Sequence, residues 1–397
     1  MTQEESVEVA DIFCKHGHAY RVSHKMPLNQ IRTMRAIERC RTAELGGHID
    51  ECDCCGRIRI SYNSCRNRHC PKCQFLKKEK WLEQRKEDLL AVPYFHVVFT
   101  IPAKINPLVL RNKRVLYDIL FRSASETLIE LSRDPKHLGG QLGFICILHT
   151  WGQNLMDHAH IHCIVTGGGI SHDGKRWLSC RKGFFIPVKV LSRLFRGKVL
   201  FYIKKSWESE ELEFSGTIAK LKDRFAVFLN DLYKMEWVVY AKPPFKDPET
   251  LLDYLGRYTH RIAIGNHRIL KMEDGEVFFR WRDYADGNKK KIMRLEASEF
   301  IRRFMLHVLP EKFVKIRYYG LLANRKRGSM LSQCRKLLAD PIKPKKKDDT
   351  ETWQELLLRT CGMDLITCPF CKNGRMIKKE VIQPLRCNSP PQEMAAW

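Results

Sequence analysis

The sequence has too few acidic residues to balance its basic ones. It contains 70 Lys and Arg against 45 Asp and Glu, which gives a formal net charge of +25 and a pI near 9.5. This imbalance is not typical of an ordinary metabolic enzyme and indicates a polyanionic partner, either nucleic acid or an acidic membrane surface. The chain has 397 residues and is 44% hydrophobic, so it can bury at least one full core and form two or three domains.

Long hydrophobic runs are also missing. No apolar run approaches the ~20 residues that a membrane-spanning helix needs. The first residues, MTQEESVEVADIF, are acidic and interrupted, which argues against a signal peptide. We therefore expect a cytoplasmic protein with no membrane partner. In that compartment, the sixteen cysteines are expected to include metal ligands rather than to form a disulfide framework.

A complete phosphate-binding loop is absent as well. Gly169, Gly174 and Lys175 match most of that motif, but Arg176 stands where a Ser or Thr should bind magnesium. We interpret the stretch ISHDGKRW as a hairpin with an Asp-Gly turn. The chemistry of this protein is therefore expected to proceed without nucleotide hydrolysis.

Cysteines are dense in the stretch CDCCGRIRISYNSCRNRHCPKC. The pairs Cys52/Cys55 and Cys70/Cys73 each have the two-residue spacing that directs two thiolates at one tetrahedral ion, and fourteen residues separate the pairs. We predict that these four cysteines bind a structural zinc ion. A second ion is a weaker possibility, and its candidate ligands are Cys65, His69, His48 and Cys40.

Two other features accompany this cysteine-rich module. Four arginines lie between its cysteines and predict a phosphate-contacting surface, because guanidinium groups bind phosphate in a bidentate manner; they are Arg57, Arg59, Arg66 and Arg68. Late in the chain, CGMDLITCPFC contains Cys361, Cys368 and Cys371, which could form half of a second zinc knuckle without an obvious fourth ligand.

Three histidines occupy alternate positions in HAHIHCIVTGGG. Side chains alternate along a strand, so His158, His160 and His162 are predicted to project from one face while Ala159, Ile161, Cys163 and Val165 pack on the other. Neutral imidazole is a common ligand of transition metals, and two such rings can converge on one divalent ion with a third ligand from elsewhere. The following glycines permit close approach of another backbone.

Two tyrosines are spaced by four residues in DPETLLDYLGRYTHR, which begins as a helix with Asp247 and Pro248. Tyr254 and Tyr258 therefore lie on one helix face, flanked by Arg257 and Arg261. A phenol is a poor nucleophile at neutral pH, but nearby cations and a metal-polarised phosphodiester favour its attack.

The order VVFTIP, HAHIHCIV and YLGRYTHR resembles the three motifs of the single-strand nucleases that are named for a histidine, hydrophobic, histidine signature. With SYNSCRNRHCPKCQ ahead and EFIRRFMLHVLPEKFVKIRYYGLLANR behind, the chain resembles the two-tyrosine rolling-circle transposases of the insertion sequence 91 type along nearly its whole length. The resemblance maps the signature onto His160, Ile161 and His162 and the nucleophiles onto Tyr254 and Tyr258.

The resemblance implies a mechanism. One tyrosine cleaves a single strand at an element end, which forms a 5′ phosphotyrosine and a free 3′ hydroxyl, and the reverse transesterification joins strands without ATP. Catalytic Mg²⁺ or Mn²⁺ is implied at His160 and His162, with His158 as the third ligand and His96, Gln153 and His260 as rivals. DNA, chiefly single-stranded element ends and target DNA, is the implied partner, and a nucleoid-associated location follows.

The expected fold is α+β, with a central antiparallel sheet like that of the histidine-signature nucleases, flanked by helices and preceded by a small zinc-ribbon-like domain. We expect a helical and zinc-binding region at 1–90, a nuclease domain at 91–325 and a basic tail with the late cysteine pair at 326–397. Two other functions stay open. They are a replication initiator or relaxase with the same chemistry, and a zinc-dependent DNA-binding regulator without catalysis.

Overall fold

The alternating stretch around His160 forms the middle strand of an antiparallel sheet, and the fold is α+β. The computed structural model describes residues 7–181, 186–242, 245, 250–251, 254, 256, 259, 263–284, 286–339 and 352–385. Its main helices are α1 (Val9–Ser23), α2 (Leu28–Glu38), α3 (Gln74–Lys86), α4 (Asn106–Arg111), α5 (Lys113–Arg133), α6 (Val188–Glu208), α7 (Phe225–Lys234), α8 (Ala297–Leu306), α9 (Arg327–Leu338) and α10 (Trp353–Cys361).

Among the described residues, the strands form three antiparallel sheets. They are β1 (Gly47–Cys52), β2 (Ile58–Tyr62), β3 (Tyr94–Thr100), β4 (Gly140–Trp151), β5 (Asp157–Ser171), β6 (Trp177–Ser179), β7 (Val239–Lys242), β8 (Ile269–Glu273), β9 (Glu276–Asp283), β10 (Lys289–Glu296), β11 (Ile316–Gly320) and β12 (Met376–Ile382). The central sheet has the order β11-β4-β5-β3-β7, and β6 pairs with β5. The pairing of β6 with β5 confirms the hairpin predicted for ISHDGKRW.

The central sheet is covered on both faces. On one face, the apolar residues of β5 are almost completely buried beneath α4 and α5; they are Ala159, Ile161, Cys163 and Val165. On the other face, Ile147 and Ile164 join a second apolar cluster with Leu82 of α3, Leu251 and Leu331 of α9. The strand alternation predicted from the sequence is therefore confirmed, and His160 and His162 share their face with this second cluster.

The glycines after the histidine stretch allow neighbouring backbones to come close. A Cβ atom on Gly169 would lie 2.3 Å from the carbonyl oxygen of Gln141 on β4, and one on Gly167 would lie 2.6 Å from the carbonyl oxygen of Pro93. Both contacts involve backbone that cannot rotate away. Glycine is therefore required here for β5 to run between its two neighbours.

Two smaller sheets flank the central one. The order β10-β9-β8 forms one, and the order β12-β1-β2 forms the other, in which a strand from near the carboxyl end pairs with a strand of the cysteine-rich module. The region expected as a carboxyl-terminal tail at 326–397 thus contributes α9 to the second apolar cluster and β12 to the amino-terminal sheet. Within the described residues, no helix is both long and apolar enough to cross a membrane.

Candidate active site and zinc centres

Three histidines on neighbouring strands come together on the face of the sheet that carries the second apolar cluster. Each of His149, His160 and His162 offers a ring nitrogen, and these atoms lie within 4.8 Å of one another. His149 on β4 stands directly opposite His160 on β5, and Ile147 stands opposite His162. Directly opposed residues point to the same face of a sheet, so the strand pairing itself brings His149 to the other two.

The structure groups His149, and not His158, with the predicted pair. The ring of His158 is exposed at the start of β5, with its centre 4.8 Å from that of His160. A register shift follows His149 in the pairing of β4 with β5, and such bulges redirect side chains beside functional sites. The sequence contained a signal for His149, because it lies near the end of the apolar stretch LGFICILHTW, which forms β4 beside the histidine strand.

Hydrogen bonds orient two of these rings. The Nδ1 atom of His160 lies 2.6 Å from the carbonyl oxygen of His158, so Nδ1 carries the proton and donates it. The Nδ1 atom of His162 lies 2.7 Å from Nε2 of His96 on β3, and the two rings are stacked. When Nδ1 of His162 donates to His96, both His160 and His162 use Nδ1 for a hydrogen bond. Their Nε2 atoms are then the nitrogens that would face a metal ion. Ligating histidines are commonly oriented in this way.

Burial keeps the rings of His160, His162 and His96 uncharged near neutral pH. Desolvation lowers the pKa of His160 to about 3 and that of His96 to about 4, and it lowers the pKa of His162 well below its ordinary value. Neutral imidazole is the form that binds metal ions, so the site is ready to accept one without first releasing protons.

The other candidates for the third ligand lie elsewhere. His96 contacts His162 through Nε2 and is not one of the three grouped rings. The side chain of Gln153 donates to the hydroxyl of Tyr284 at 3.3 Å. His260 lies outside the described residues.

Tyr254 lies beside the histidine group. Its ring centre is 5.2 Å from that of His96 and 5.5 Å from that of Phe245, and Nζ of Lys242 lies 5.9 Å from its ring. Tyr254, Gly256 and Thr259 are helical, and this tyrosine-bearing helix contacts α3, because a Cβ atom on Gly256 would lie 2.7 Å from Cδ1 of Leu82. Tyr254 thus contacts His96, which is hydrogen-bonded to His162, and the cation of Lys242 lies near the Tyr254 ring. Its predicted neighbours Arg257, Tyr258 and Arg261 lie outside the described residues.

The cysteines form two groups of four, and the groups differ from the predicted set. Sulfur atoms within 4.8 Å of one another belong to Cys40, Cys65, Cys70 and Cys73 in one group, and to Cys52, Cys55, Cys368 and Cys371 in the other. The expectation that the pair Cys52/Cys55 shares one ion with the pair Cys70/Cys73 is therefore corrected. Each pair is a local half-site, and the fold supplies a different partner for each.

Two histidines suggested for a second ion are not in these groups. The Nε2 atom of His69 accepts a hydrogen bond from the backbone N–H of Leu309 at 3.1 Å, and its Nδ1 lies 3.0 Å from the side-chain oxygen of Asn67. Both ring nitrogens of His69 are therefore used within the protein, and burial lowers its pKa to about 3. His48 lies 3.5 Å from a carboxylate oxygen of Asp50.

Hydrogen bonds favour thiolate at two cysteines in each group, Cys40 and Cys73 in the first and Cys368 and Cys371 in the second. The pKa of Cys40 is lowered to about 7 by hydrogen bonds from Cys65 and Cys70. The pKa of Cys371 is lowered to about 6, chiefly by the backbone N–H of Gly374. Thiolate is the form that binds zinc, so both groups have the chemistry of a zinc site.

The predicted phosphate-contacting arginines differ in their surroundings. Arg66 is exposed and adopts a positive φ of 53°. Arg68 points inward, where it donates to the carbonyl oxygen of Phe313 at 2.6 Å, and burial lowers its pKa. Arg68 lines a cavity together with Lys77, Lys315 and Thr259, next to the tyrosine-bearing helix.

Comparisons with known proteins identify two regions of the chain. Residues 143–329 match the family described as "Putative transposase", and residues 12–101 match the family described as "Transposase zinc-binding domain". A "Putative transposase" of Sinorhizobium fredii (strain NBRC 101917 / NGR234) is 50% identical over 388 residues, which is 96% of this chain and 98% of that protein.

A second relative is more distant. The transposase for insertion sequence element IS801 of Pseudomonas savastanoi pv. phaseolicola is 27% identical over 320 residues, which is 76% of this chain and 72% of that protein. No solved structure matches the chain. The matched transposase region contains the three grouped histidines and Tyr254, and the matched zinc-binding region contains all four cysteines of the first group.

Proposed function

Because the chain belongs to the insertion sequence 91 family of transposases, we propose that it nicks and rejoins single-stranded DNA at element ends through a tyrosine nucleophile. One observation carries this proposal. Tyr254 packs against His96, which is hydrogen-bonded to His162 of the three-histidine group. The proposed nucleophile therefore lies on the sheet face that carries the proposed metal ligands.

The three histidines fit a divalent cation, Mg²⁺ or Mn²⁺ in this proposal. Their ligand nitrogens converge, and the rings with lowered pKa are neutral at the pH of the cell. Such an ion supplies Lewis-acid polarisation of a phosphate oxygen. His96 is a positioning residue, because it holds the ring of His162 through Nδ1 and leaves Nε2 for the ion.

The covalent step is a transesterification. The hydroxyl oxygen of Tyr254 attacks phosphorus, the bond from phosphorus to the 3′ oxygen of the preceding nucleotide breaks, and the phenolic proton passes to solvent while the 3′ oxygen is protonated. The product is a 5′ phosphotyrosine. Lys242, close to the Tyr254 ring, favours the developing phenolate electrostatically. The reverse reaction with another 3′ hydroxyl joins strands, so no ATP is needed.

Tyr258, four residues after Tyr254 in the sequence, is proposed as the second nucleophile. Two tyrosines allow a donor strand and a target strand to be held in turn. Arg66, Arg68, Arg257 and Arg261 are proposed to contact DNA, with Arg66 the most exposed of those described. A chain with a net charge of +25 is expected to bind DNA with steep dependence on salt concentration.

The test is covalent capture of DNA. Single-stranded oligonucleotides that tile both flanks of the gene are incubated with the protein and Mn²⁺ or Mg²⁺, and the products are separated under denaturing conditions. A 3′-labelled strand should shift with the protein and a 5′-labelled strand should not, because the tyrosine retains the 5′ phosphate. The double variant Tyr254→Phe, Tyr258→Phe should form no adduct, whereas Tyr233→Phe, at an exposed tyrosine on α7, should act as the wild type.

Other outcomes would support other functions. An adduct that persists in the double variant would refute the proposed nucleophiles. Binding to the flanking DNA without any adduct would favour the zinc-dependent regulator. Cleavage without excision or insertion of flanking DNA would favour a replication initiator or relaxase.

A further inference from the structure

The second cysteine group is built from two half-sites at opposite ends of the chain. Cys52 is the last residue of β1 and Cys55 follows it, and Cys368 and Cys371 precede β12. The family region for zinc binding covers residues 12–101, so it contains only the first of these half-sites.

The two half-sites have the same backbone construction. In each, the residue after the second cysteine donates its N–H to the carbonyl oxygen of the first cysteine at 3.0 Å; these donors are Gly56 and Lys372. Both residues have positive φ, 67° for Gly56 and 58° for Lys372. A left-handed residue at the same position of two unrelated segments indicates that both turns are shaped to direct two sulfur atoms to one point.

Each turn is also closed in the same way behind its first cysteine. The N–H of Cys52 donates to the carbonyl oxygen of Arg57 at 2.9 Å, and the N–H of Cys368 donates to that of Gly374 at 2.8 Å. Backbone N–H groups point at the sulfurs as well, from Cys55 to Cys52 and from Gly374 to Cys371, both at 3.4 Å. Such bonds stabilise thiolate, and they are typical of zinc knuckles.

The sulfur separations fit a zinc tetrahedron and not a disulfide. Cys52 and Cys371 are 3.6 Å apart, and Cys55 and Cys368 are 3.8 Å apart. Zinc bound to thiolates at about 2.3 Å in tetrahedral geometry places neighbouring sulfurs roughly 3.8 Å apart. A disulfide would need about 2.05 Å.

Contacts around the cysteines hold the two segments in register. β1 and β12 pair antiparallel from Gly47 opposite Ile382 to Cys52 opposite Met376. Beyond the last pair, the N–H of Arg375 donates to the carboxylate of Asp53 at 2.7 Å. A Cβ atom on Gly374 would lie 2.5 Å from the sulfur of Cys52, so the close approach of the half-sites needs a glycine there.

We propose that Cys52, Cys55, Cys368 and Cys371 bind a zinc ion that joins the carboxyl-terminal segment to the amino-terminal module. The chain then carries two zinc ions, one in each cysteine group. The first ion shapes the turn before α3, which contacts the tyrosine-bearing helix through Leu82. The second ion links two half-sites that are distant in the sequence. Cys55 and Cys368 are 313 residues apart.

The test measures zinc bound per full-length chain, by elemental analysis and by native mass spectrometry. The wild type should contain two ions, and the double variant Cys368→Ser, Cys371→Ser should contain one. Cys54→Ser is the matched control, because Cys54 is an exposed cysteine between Cys52 and Cys55 that is not in the group. It should keep two ions. A wild type with one ion, or a double variant that keeps two, would overturn the proposal.

A measurement on the wild type makes the result independent of how the variants fold. Zinc is withdrawn stepwise with a chelator, and the cysteines that become open to alkylation are identified by peptide mass spectrometry. The four cysteines of the second group should become open to alkylation in one step. The cysteines of the first group should become open in a different step. Loss of protection at Cys368 and Cys371 while Cys52 and Cys55 stay protected would refute a shared ion.

Discussion

Replacement of His149 by alanine tests which third histidine binds the metal ion. The structure groups His149 with His160 and His162, whereas the sequence pattern predicted His158. His149 lies opposite His160 across the β4–β5 pairing, and its ring centre is 4.2 Å from that of His162. His158 instead contributes its backbone carbonyl oxygen to Nδ1 of His160 at 2.6 Å. Alanine at 158 would retain that carbonyl, so the two variants differ in whether a ligand is lost.

The size of the effect follows from these roles. Changes to residues that only orient a ligand typically reduce metal affinity by roughly 10–100-fold. Loss of a ligand should cost at least as much, which is about 1.4–2.7 kcal/mol of binding free energy. We therefore expect His149→Ala to raise the Mn²⁺ concentration needed for half-maximal binding by at least ~10–100-fold. His158→Ala should leave that concentration nearly unchanged.

The assay is a Mn²⁺ titration followed by electron paramagnetic resonance of the free ion, with oligonucleotide cleavage measured over the same range. Each variant is first checked for the zinc content and circular dichroism of the wild type. Equal losses of Mn²⁺ affinity in His149→Ala and His158→Ala would refute the assignment of His149. Wild-type affinity in His149→Ala would do the same.

Three further predictions concern the surroundings of the site. His96→Ala removes the partner of His162 and should weaken Mn²⁺ binding by roughly 10–100-fold in the same titration; unchanged binding would show that the hydrogen bond has no orienting role. Gly169→Ala places a methyl group 2.3 Å from the Gln141 carbonyl oxygen and should lower the free energy of unfolding by about 1–3 kcal/mol in urea denaturation, and a neutral result would contradict the close approach. Desolvation raises the pKa of Asp157 from 3.8 to about 6, so its ionisation costs stability as pH rises from 4 to 6. Asp157→Asn should thus raise the free energy of unfolding at pH 7, by at most about 3 kcal/mol, with no gain below pH 4; a gain that is the same at both pH values would exclude ionisation as the cause.

The histidine strand shows which part of the site the local sequence pattern could predict. The alternation in HAHIHCIV was enough to predict a strand with His160 and His162 on one face, and burial of Ile161 and Cys163 on the other confirms it. His149 was not among the predicted ligands. Its place depends on the register of β4 against β5, and a shift of one residue would turn it to the opposite face.

The sequence alone determined which residues can bind zinc and which strand carries the histidines. Both are local properties, because a two-residue spacing makes a knuckle and a period of two makes a face. Only the tertiary structure decided which knuckles lie together and which third imidazole lies beside the pair. Half-sites such as Cys52/Cys55 and Cys70/Cys73 are chemically equivalent, so nothing within either can select its partner. The selection comes from the pairing of β12 with β1, a contact between segments more than 300 residues apart in the chain.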